Sequence, residues 1–225
     1  MLTHMLSPRV NGPVDGAVVP PELAFPTRAL EPNDVLYRAD DEATLLYTVE
    51  AGVLKGIVPT AVGRERIIDL YGHGEVLGSA ALYGGRHPET VIAVQPSSLI
   101  PFDARHAMQD PTLARYVARG LARQLRRSRE AIDDAELPVG ARLGRLLLRL
   151  TRRFGLPADA EDGFKLPLNL THEDFALMTG SSRVTITRVL SDLRQAGAVS
   201  GTRGVYVIRP ERLEGEIDHY VLSVL

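Results

Sequence analysis

No proline interrupts the chain between Pro111 and Pro138, and this stretch constrains the fold more than any other feature. Proline removes a backbone donor and breaks helix interiors, so its absence over such a run permits one continuous helix. Pro111 suits a first helical turn, and Asp110 before it is a good N-cap. Leu113, Val117, Leu121 and Leu125 recur every four residues, and Ser128 and Ile132 extend the line. The pattern predicts a helix over 111–137, about 40 Å long at 1.5 Å per residue. Arg115, Arg119, Arg123, Arg126 and Arg127 take its other faces. A long helix with a narrow apolar seam usually packs against a partner helix. Leu113, Val117, Leu121, Leu125 and Ile132 are therefore the expected seam of a two-fold dimer, with Ala114, Ala118 and Gly120 allowing close approach. The alternative is a helix lying across its own domain.

The texture changes on either side. From about Pro21 to Asp103 short apolar segments alternate with Gly, Pro, Asn and Asp; Leu45 to Val49, Gly52 to Val58, Arg66 to Leu70 and Thr90 to Val94 are examples. Segments this short, with turn residues at about 8–12-residue intervals, read as an all-β sandwich or barrel. No helical patterns intervene, which argues against a parallel βαβ sheet. A β-rich domain is expected over 21–110, preceded by a Pro- and Gly-rich tail over 1–20. After Pro138 a second helix is expected from Val139 to Phe154, with Leu143, Leu146, Leu147 and Leu150 on its buried face. It opens a second compact domain over 138–225.

Charge separates the two halves. Residues 1–110 hold 8 basic and 14 acidic side chains, whereas residues 111–225 hold 18 basic and 14 acidic. Only the second half is biased toward a polyanion. The chain has no cysteine, which excludes disulfides, thiolate metal sites and cysteine-bound iron–sulfur clusters. Its six histidines are scattered rather than set at metal-ligand spacing, so no metal and no cofactor is expected. No apolar run reaches the roughly 18 residues a membrane span needs, and the N-terminus lacks a basic-then-apolar signal pattern. No membrane association and a cytoplasmic location are the expectation.

Residues 169–208 carry the functional signal. Thr171-His172-Glu173-Asp174 has the form of a capping box, Thr171 at the N-cap and Asp174 at N3. The helix that follows is expected to bury Phe175, Ala176 and Met178 and to end at Gly180, where a tight turn needs positive φ. Ser182 can cap a second helix running from Arg183 to Ala196. There Ile186, Val189, Leu190 and Leu193 fall at i, i+3, i+4 and i+7, a single core face. Arg183, Val184, Thr187, Arg188 and Ser191 lie opposite. Helix, short glycine turn and helix make a helix-turn-helix, whose second helix enters the major groove of DNA. Arg183 and Arg188 are the expected readers, since Arg can hold guanine O6 and N7 together or clamp a phosphate. Val184 suits a thymine methyl. Val199 to Ile208, centred on Gly201-Thr202-Arg203-Gly204, reads as a β-hairpin wing with Arg203 at its tip, near backbone phosphate. Ser182, Ser191 and Thr171 complete the expected DNA-facing set. The competing reading is an αα-hairpin within a core, its arginines merely solvated.

This order of parts resembles the cyclic-AMP receptor protein and fumarate–nitrate regulator (Crp/Fnr) family over roughly residues 25–210. Leu170 to Val199 resembles the family's DNA-binding signature, Gly180-Ser181-Ser182-Arg183-Val184-Thr185-Ile186-Thr187-Arg188 being its centre. Leu137-Pro138-Val139 and Arg142-Leu143 are similar to the family's hinge and the first helix of its DNA domain. Gly74-Glu75-Val76-Leu77-Gly78 resembles the start of its nucleotide phosphate cassette. The resemblance implies an α+β fold with a cyclic-nucleotide-binding-like β-roll (jelly roll), a long dimerisation helix and a C-terminal winged helix-turn-helix. It also implies a homodimer on palindromic double-stranded DNA that touches RNA polymerase, most often as an activator.

The cassette departs from the family pattern. Ser79 stands where cyclic-AMP binders place a ribose-holding Glu, and Glu89-Thr90 stand where they place Arg then Ser or Thr. A phosphate monoanion needs a cation or a cluster of N–H donors; Glu89 offers the opposite charge. Arg86 could substitute only if its loop were rearranged. Ser128 matches a position near the adenine, and Arg127 replaces a small hydroxyl residue beside it. With Gly74, Glu75 and Gly78 these residues form a degenerate cassette, and no need for cyclic AMP is expected. A β-roll that binds another small molecule is the alternative. Nothing supports an enzyme: there is no thiol, no Gly-x-Ser-x-Gly elbow and no P-loop. Gly72-x-Gly74-x-x-x-Gly78 has no helix pattern after it and is not a dinucleotide site.

Overall fold

The structure is a computed structural model that describes residues 19–61, 63–158, 163–202 and 204–223. Most of the expected tail over 1–20 lies outside the described residues. The chain forms two compact units that divide between Asp133 and Asp134.

The first unit is built from eight strands: β1 (Arg28–Leu30), β2 (Val35–Tyr37), β3 (Leu45–Ala51), β4 (Leu54–Pro59), β5 (Glu65–Tyr71), β6 (Val76–Leu77), β7 (Thr90–Ala93) and β8 (Ser97–Asp103). They form two antiparallel sheets, ordered β1-β8-β3-β6 and β2-β7-β4-β5. One apolar cluster joins them, with Leu30, Tyr47, Val49, Leu77 and Leu99 from the first sheet and Leu36, Tyr37, Leu54, Tyr71, Val91 and Ala93 from the second. Two half-buried antiparallel sheets bury their inner faces this way. The turn from β3 to β4 depends on Gly52, whose φ is 88°. An added Cβ there would stand 2.5 Å from the Pro96 carbonyl oxygen, so only glycine fits.

A short helix, α1 (Ala104–Gln109), leads into α2 (Pro111–Asp134). Asp110 caps α2: its Oδ1 accepts from the Leu113 N–H at 2.7 Å. The helix ends a turn earlier than the sequence suggested.

The second unit begins with α3 (Val139–Phe154), whose bounds coincide with the expected ones. After it come β9 (Leu156–Pro157), β10 (Phe164–Leu166), α4 (His172–Thr179), α5 (Arg183–Gln195), β11 (Val199–Thr202), β12 (Val205–Ile208) and α6 (Pro210–Leu222). The strands make one antiparallel sheet, β11-β12-β10-β9. Leu143, Leu146, Leu147 and Leu150 are buried as expected. Helix α6 is absent from the sequence reading. It packs on α3 over Gly140 and Gly144, where an added Cβ would come within 2.5 Å of Tyr220 and Ile217 respectively. Glycine weakens a helix interior by about 1 kcal/mol, and here it admits a neighbour's side chains. Among the described residues, no helix is long and apolar enough to cross a membrane.

Candidate nucleic-acid interface

The helix-turn-helix is assembled by local capping. The Thr171 side chain accepts the Asp174 N–H at 3.0 Å, and Asp174 Oδ2 accepts the Thr171 N–H at 2.8 Å, closing a reciprocal box. The hydroxyl of Thr171 also donates to Asp174 Oδ2 at 2.7 Å. Gly180 ends α4 with φ 66°, and three residues separate the two helices. Ser182 Oγ then accepts the Thr185 N–H at 3.1 Å and caps α5. Phe175 and Ala176 are buried, whereas Met178, expected in the core, is only half-buried. Ile186, Val189, Leu190 and Leu193 are all buried.

Opposite them Ser182, Arg183, Val184, Thr187, Arg188 and Ser191 are exposed on one side of α5. Val184 is 79% exposed, a large apolar side chain held in water. Neither Arg183 nor Arg188 forms an ion pair among the described residues. Thr171 is half-buried within its cap. Arg203 lies outside the described residues, but the strands flanking it pair from Val199–Ile208 to Thr202–Val205 as a hairpin. Tyr206 of that hairpin meets Phe175 of α4 edge to face, ring centres 5.6 Å apart. His172, absent from the sequence expectations, places its Nδ1 2.9 Å from Thr187 Oγ1. Burial, then the Arg194 and Arg183 charges, hold its pKa below the ordinary value.

Inside the β-roll the polar groups close on one another. Glu89 is 8% exposed. Its carboxylate accepts from the Tyr71 hydroxyl at 2.8 and 2.9 Å and from Tyr37 at 3.4 Å. Burial pushes its pKa up to about 7; the Tyr71 hydroxyl pulls it back and the Asp69 charge adds to the rise. Both tyrosines are pushed up in turn, by burial and then by the Glu89 charge. His87 stacks on Tyr37 at 3.6 Å. Gly74 and Gly78 adopt the positive φ of a tight loop; Ser79 opens a single 3-10 turn over Ser79–Leu82. Thr90 Oγ1 accepts the Ala39 N–H, and Arg86 donates to the Asp40 carbonyl. Neither makes a bond to Glu89.

Helix α2 has two faces, and they correct the expected seam. Leu113 and Val117 are each 1% exposed within one subunit and have no surface left for a partner. A four-residue step advances about 40° beyond a full turn, so Leu125 points about 120° away from Leu113. The line drawn through both winds around the helix. Tyr116, Gln124 and Arg127 lie on the same side as Leu113 and bond the β-roll. Tyr116 donates to the Gly74 carbonyl at 2.9 Å and Gln124 to the Val76 carbonyl at 2.6 Å. Arg127, expected on an outer face, is instead buried: its Nη2 is 2.6 Å from Asp69 Oδ2 and its Nη1 2.9 Å from Glu75 Oε1. Leu125 (56%), Ile132 (69%) and Ser128 are exposed, and Leu121 is partly so.

Residues 141–216 match the Crp-like helix-turn-helix domain family, and residues 27–109 match the cyclic nucleotide-binding domain family. A global nitrogen regulator of Nostoc sp. is 30% identical over 187 residues, 79% of this chain and 83% of that protein. The transcriptional regulator LdrP of Thermus thermophilus is 33% identical over 188 residues, 82% of this chain and 93% of that protein. The chain belongs to the Crp/Fnr family of DNA-binding transcription regulators. A second Thermus thermophilus protein, a CRP-family transcriptional regulator of solved structure, shares the fold at a TM-score of 0.73 and 26% identity, covering 86% of this chain and 98% of that one. Within this Crp/Fnr protein the cassette keeps its glycine frame and loses its anion-binding chemistry. Where the family pattern places an arginine, a buried carboxyl is enclosed by two phenols. Sequence reasoning noted Glu89 as a repelling charge and missed the tyrosines that enclose it. Their signal was an unexplained Tyr37 and Tyr71 within apolar strands.

Proposed function

We propose that this Crp/Fnr regulator works in the cytoplasm as a homodimer that reads a palindromic duplex through α5 and contacts RNA polymerase, most often to activate, without requiring cyclic AMP. The observation that carries the DNA-reading assignment is the exposed side of α5. It offers two unpaired guanidinium groups beside apolar side chains, the combination that pairs guanine edges and thymine methyls in a major groove. The dimer rests on the outer side of α2. Ala114, Ala118, Leu121, Leu125, Ser128 and Ile132 are spaced by four, three, four, three and four residues. That is a heptad seam. It replaces Leu113 and Val117 with two small residues that favour close approach. Cyclic-AMP independence rests on Glu89 and Ser79, since a buried carboxyl that ionises near neutrality repels a phosphate monoanion.

A ligand-gated reading is favoured by the match of residues 27–109 to cyclic nucleotide-binding domains. On that reading the ligand is not a phosphate monoanion. One experiment addresses both. Genomic fragments are captured with the full chain, with and without cyclic AMP. The expected fragments carry two inverted half-sites centred about 34 Å apart, with the same enrichment in both arms. Solitary half-sites would overturn the dimer, and capture only with cyclic AMP would overturn effector independence.

A further inference from the structure

The exposed polar residues of α5 are not equivalent. Thr187 is exposed, yet its hydroxyl is engaged twice: it donates to the Arg183 carbonyl at 2.9 Å and lies 2.9 Å from His172 Nδ1. A hydroxyl carries one proton and a carbonyl only accepts. Both contacts are satisfied together when the imidazole carries its proton on Nδ1 and donates it to Thr187. A neutral ring, which burial and the flanking Arg194 and Arg183 charges favour, has a single N–H to place there. The Thr187 hydroxyl then has its donor and an acceptor site taken within the subunit. What the exposed side chain still offers is its methyl group.

We propose that Thr187 is a specificity residue that meets a thymine through its methyl group, and that His172 is the positioning residue that holds it in that pose. The inference rests on the DNA-reading assignment of α5. Among the bases only thymine presents a methyl in the major groove. Val184, three residues earlier on the same helical face, is the natural companion. The two form an apolar strip flanked by Arg183 and Arg188, which fits a half-site in which thymines adjoin guanines. A threonine free to donate would instead favour a phosphate or a base acceptor, with no preference for thymine over uracil.

The test uses a duplex enriched from a random pool by the full-length protein, with each thymine of a half-site replaced in turn by uracil. Affinities are read by fluorescence anisotropy. Removing one contacted methyl should weaken wild-type binding roughly fourfold, the worth of one methyl group taken from water. Thr187→Val keeps the methyl and should keep both affinity and uracil sensitivity. Thr187→Ser keeps the hydroxyl and should become insensitive at one thymine position. His172→Ala should blunt the sensitivity at that same position, and His172→Asn, whose amide can donate from a similar place, should restore it. Thr187→Ser with undiminished sensitivity, or Thr187→Val with binding lost, would overturn the methyl contact. Full sensitivity in His172→Ala would overturn the positioning role. A pool in which no duplex is enriched would instead refute DNA reading by α5, and this inference with it.

Discussion

The outer side of α5 and the interior of the β-roll treat charge in opposite ways. On α5, Arg183 and Arg188 stand in solvent without an ion-pair partner among the described residues. In the roll, Arg127 is shared between Asp69 and Glu75, and Glu89 is held by Tyr71 and Tyr37. A solvated cation gives up only water when a ligand arrives, whereas a buried one must first leave its partner. A family scaffold thus keeps one surface open to a polyanion while the place of an anionic effector is closed by the chain's own side chains. Helix α2 repeats the contrast on a single element, one side bonded to the roll and the other left apolar and exposed.

The sharpest way to break this comparison is on the open side of α2. Leu125→Glu should abolish dimerisation, because burying an unpaired carboxylate costs several kcal/mol per ion. Sedimentation should find a monomer, and a variant still dimeric at micromolar concentration would place the seam elsewhere. On the closed side, Arg127→Ala leaves Asp69 and Glu75 without their cation. Breaking a buried pair from one end costs about 3–5 kcal/mol, so denaturant unfolding should show a loss of that order. A loss below about 1 kcal/mol would mean the pair is solvated and the roll is not closed.

Glu89 makes the closed site pH-sensitive. The folded chain holds its proton more tightly, with a pKa of about 7 against an ordinary 4.5. Folded protein therefore binds more protons than unfolded protein between those limits. Stability falls as pH rises through this window and levels off above it. A tenfold change in proton affinity is worth about 1.4 kcal/mol, which sets a ceiling of about 3 kcal/mol. Glu89→Gln should remove this slope and exceed the wild type in stability at pH 8, the gap closing near pH 4. A variant that parallels the wild type across this range would show that Glu89 stays ionised throughout. On the open side, Arg183→Ala should cost about 1–3 kcal/mol on a selected site if it reads a base. An equal loss on random duplex would make it a phosphate contact.

The two regions also differ in how far the sequence revealed them. The helix-turn-helix is specified by neighbours in the chain. Thr171 with Asp174, Gly180 and Ser182 fix its caps and turn within a few residues, and local rules reach that far. The roll interior is specified across distance: Glu89 is joined to residues 18 and 52 positions away, and Arg127 to one 58 positions away. No periodicity encodes such pairs. The seam of α2 failed for a different reason. Leu113 and Leu125 share a four-residue spacing but not a face, and a 4-3 spacing would have separated them. Helix α6 was legible and passed over, since Pro210 suits its first turn and Leu213, Ile217 and Tyr220 mark its buried side. The Thr187–His172 contact needed coordinates, because nothing in the sequence says that a histidine opening one helix meets the middle of the next.

Ser182 gives the finest cut between structure and recognition. It was expected to face DNA, and it is exposed, yet its oxygen already accepts the Thr185 N–H and lies 2.8 Å from the Thr185 hydroxyl. If capping is its main task, Ser182→Ala should lower stability by about 1 kcal/mol, and Ser182→Gly by only a few tenths. Thermal melts would read both. Per folded molecule, the affinity for a selected duplex should then change less than about twofold, the size of a few tenths of a kcal/mol. An unchanged melting temperature with a large loss of affinity would reverse the assignment. It would also place the start of α5 against the duplex, with the cap completed by DNA rather than by the chain.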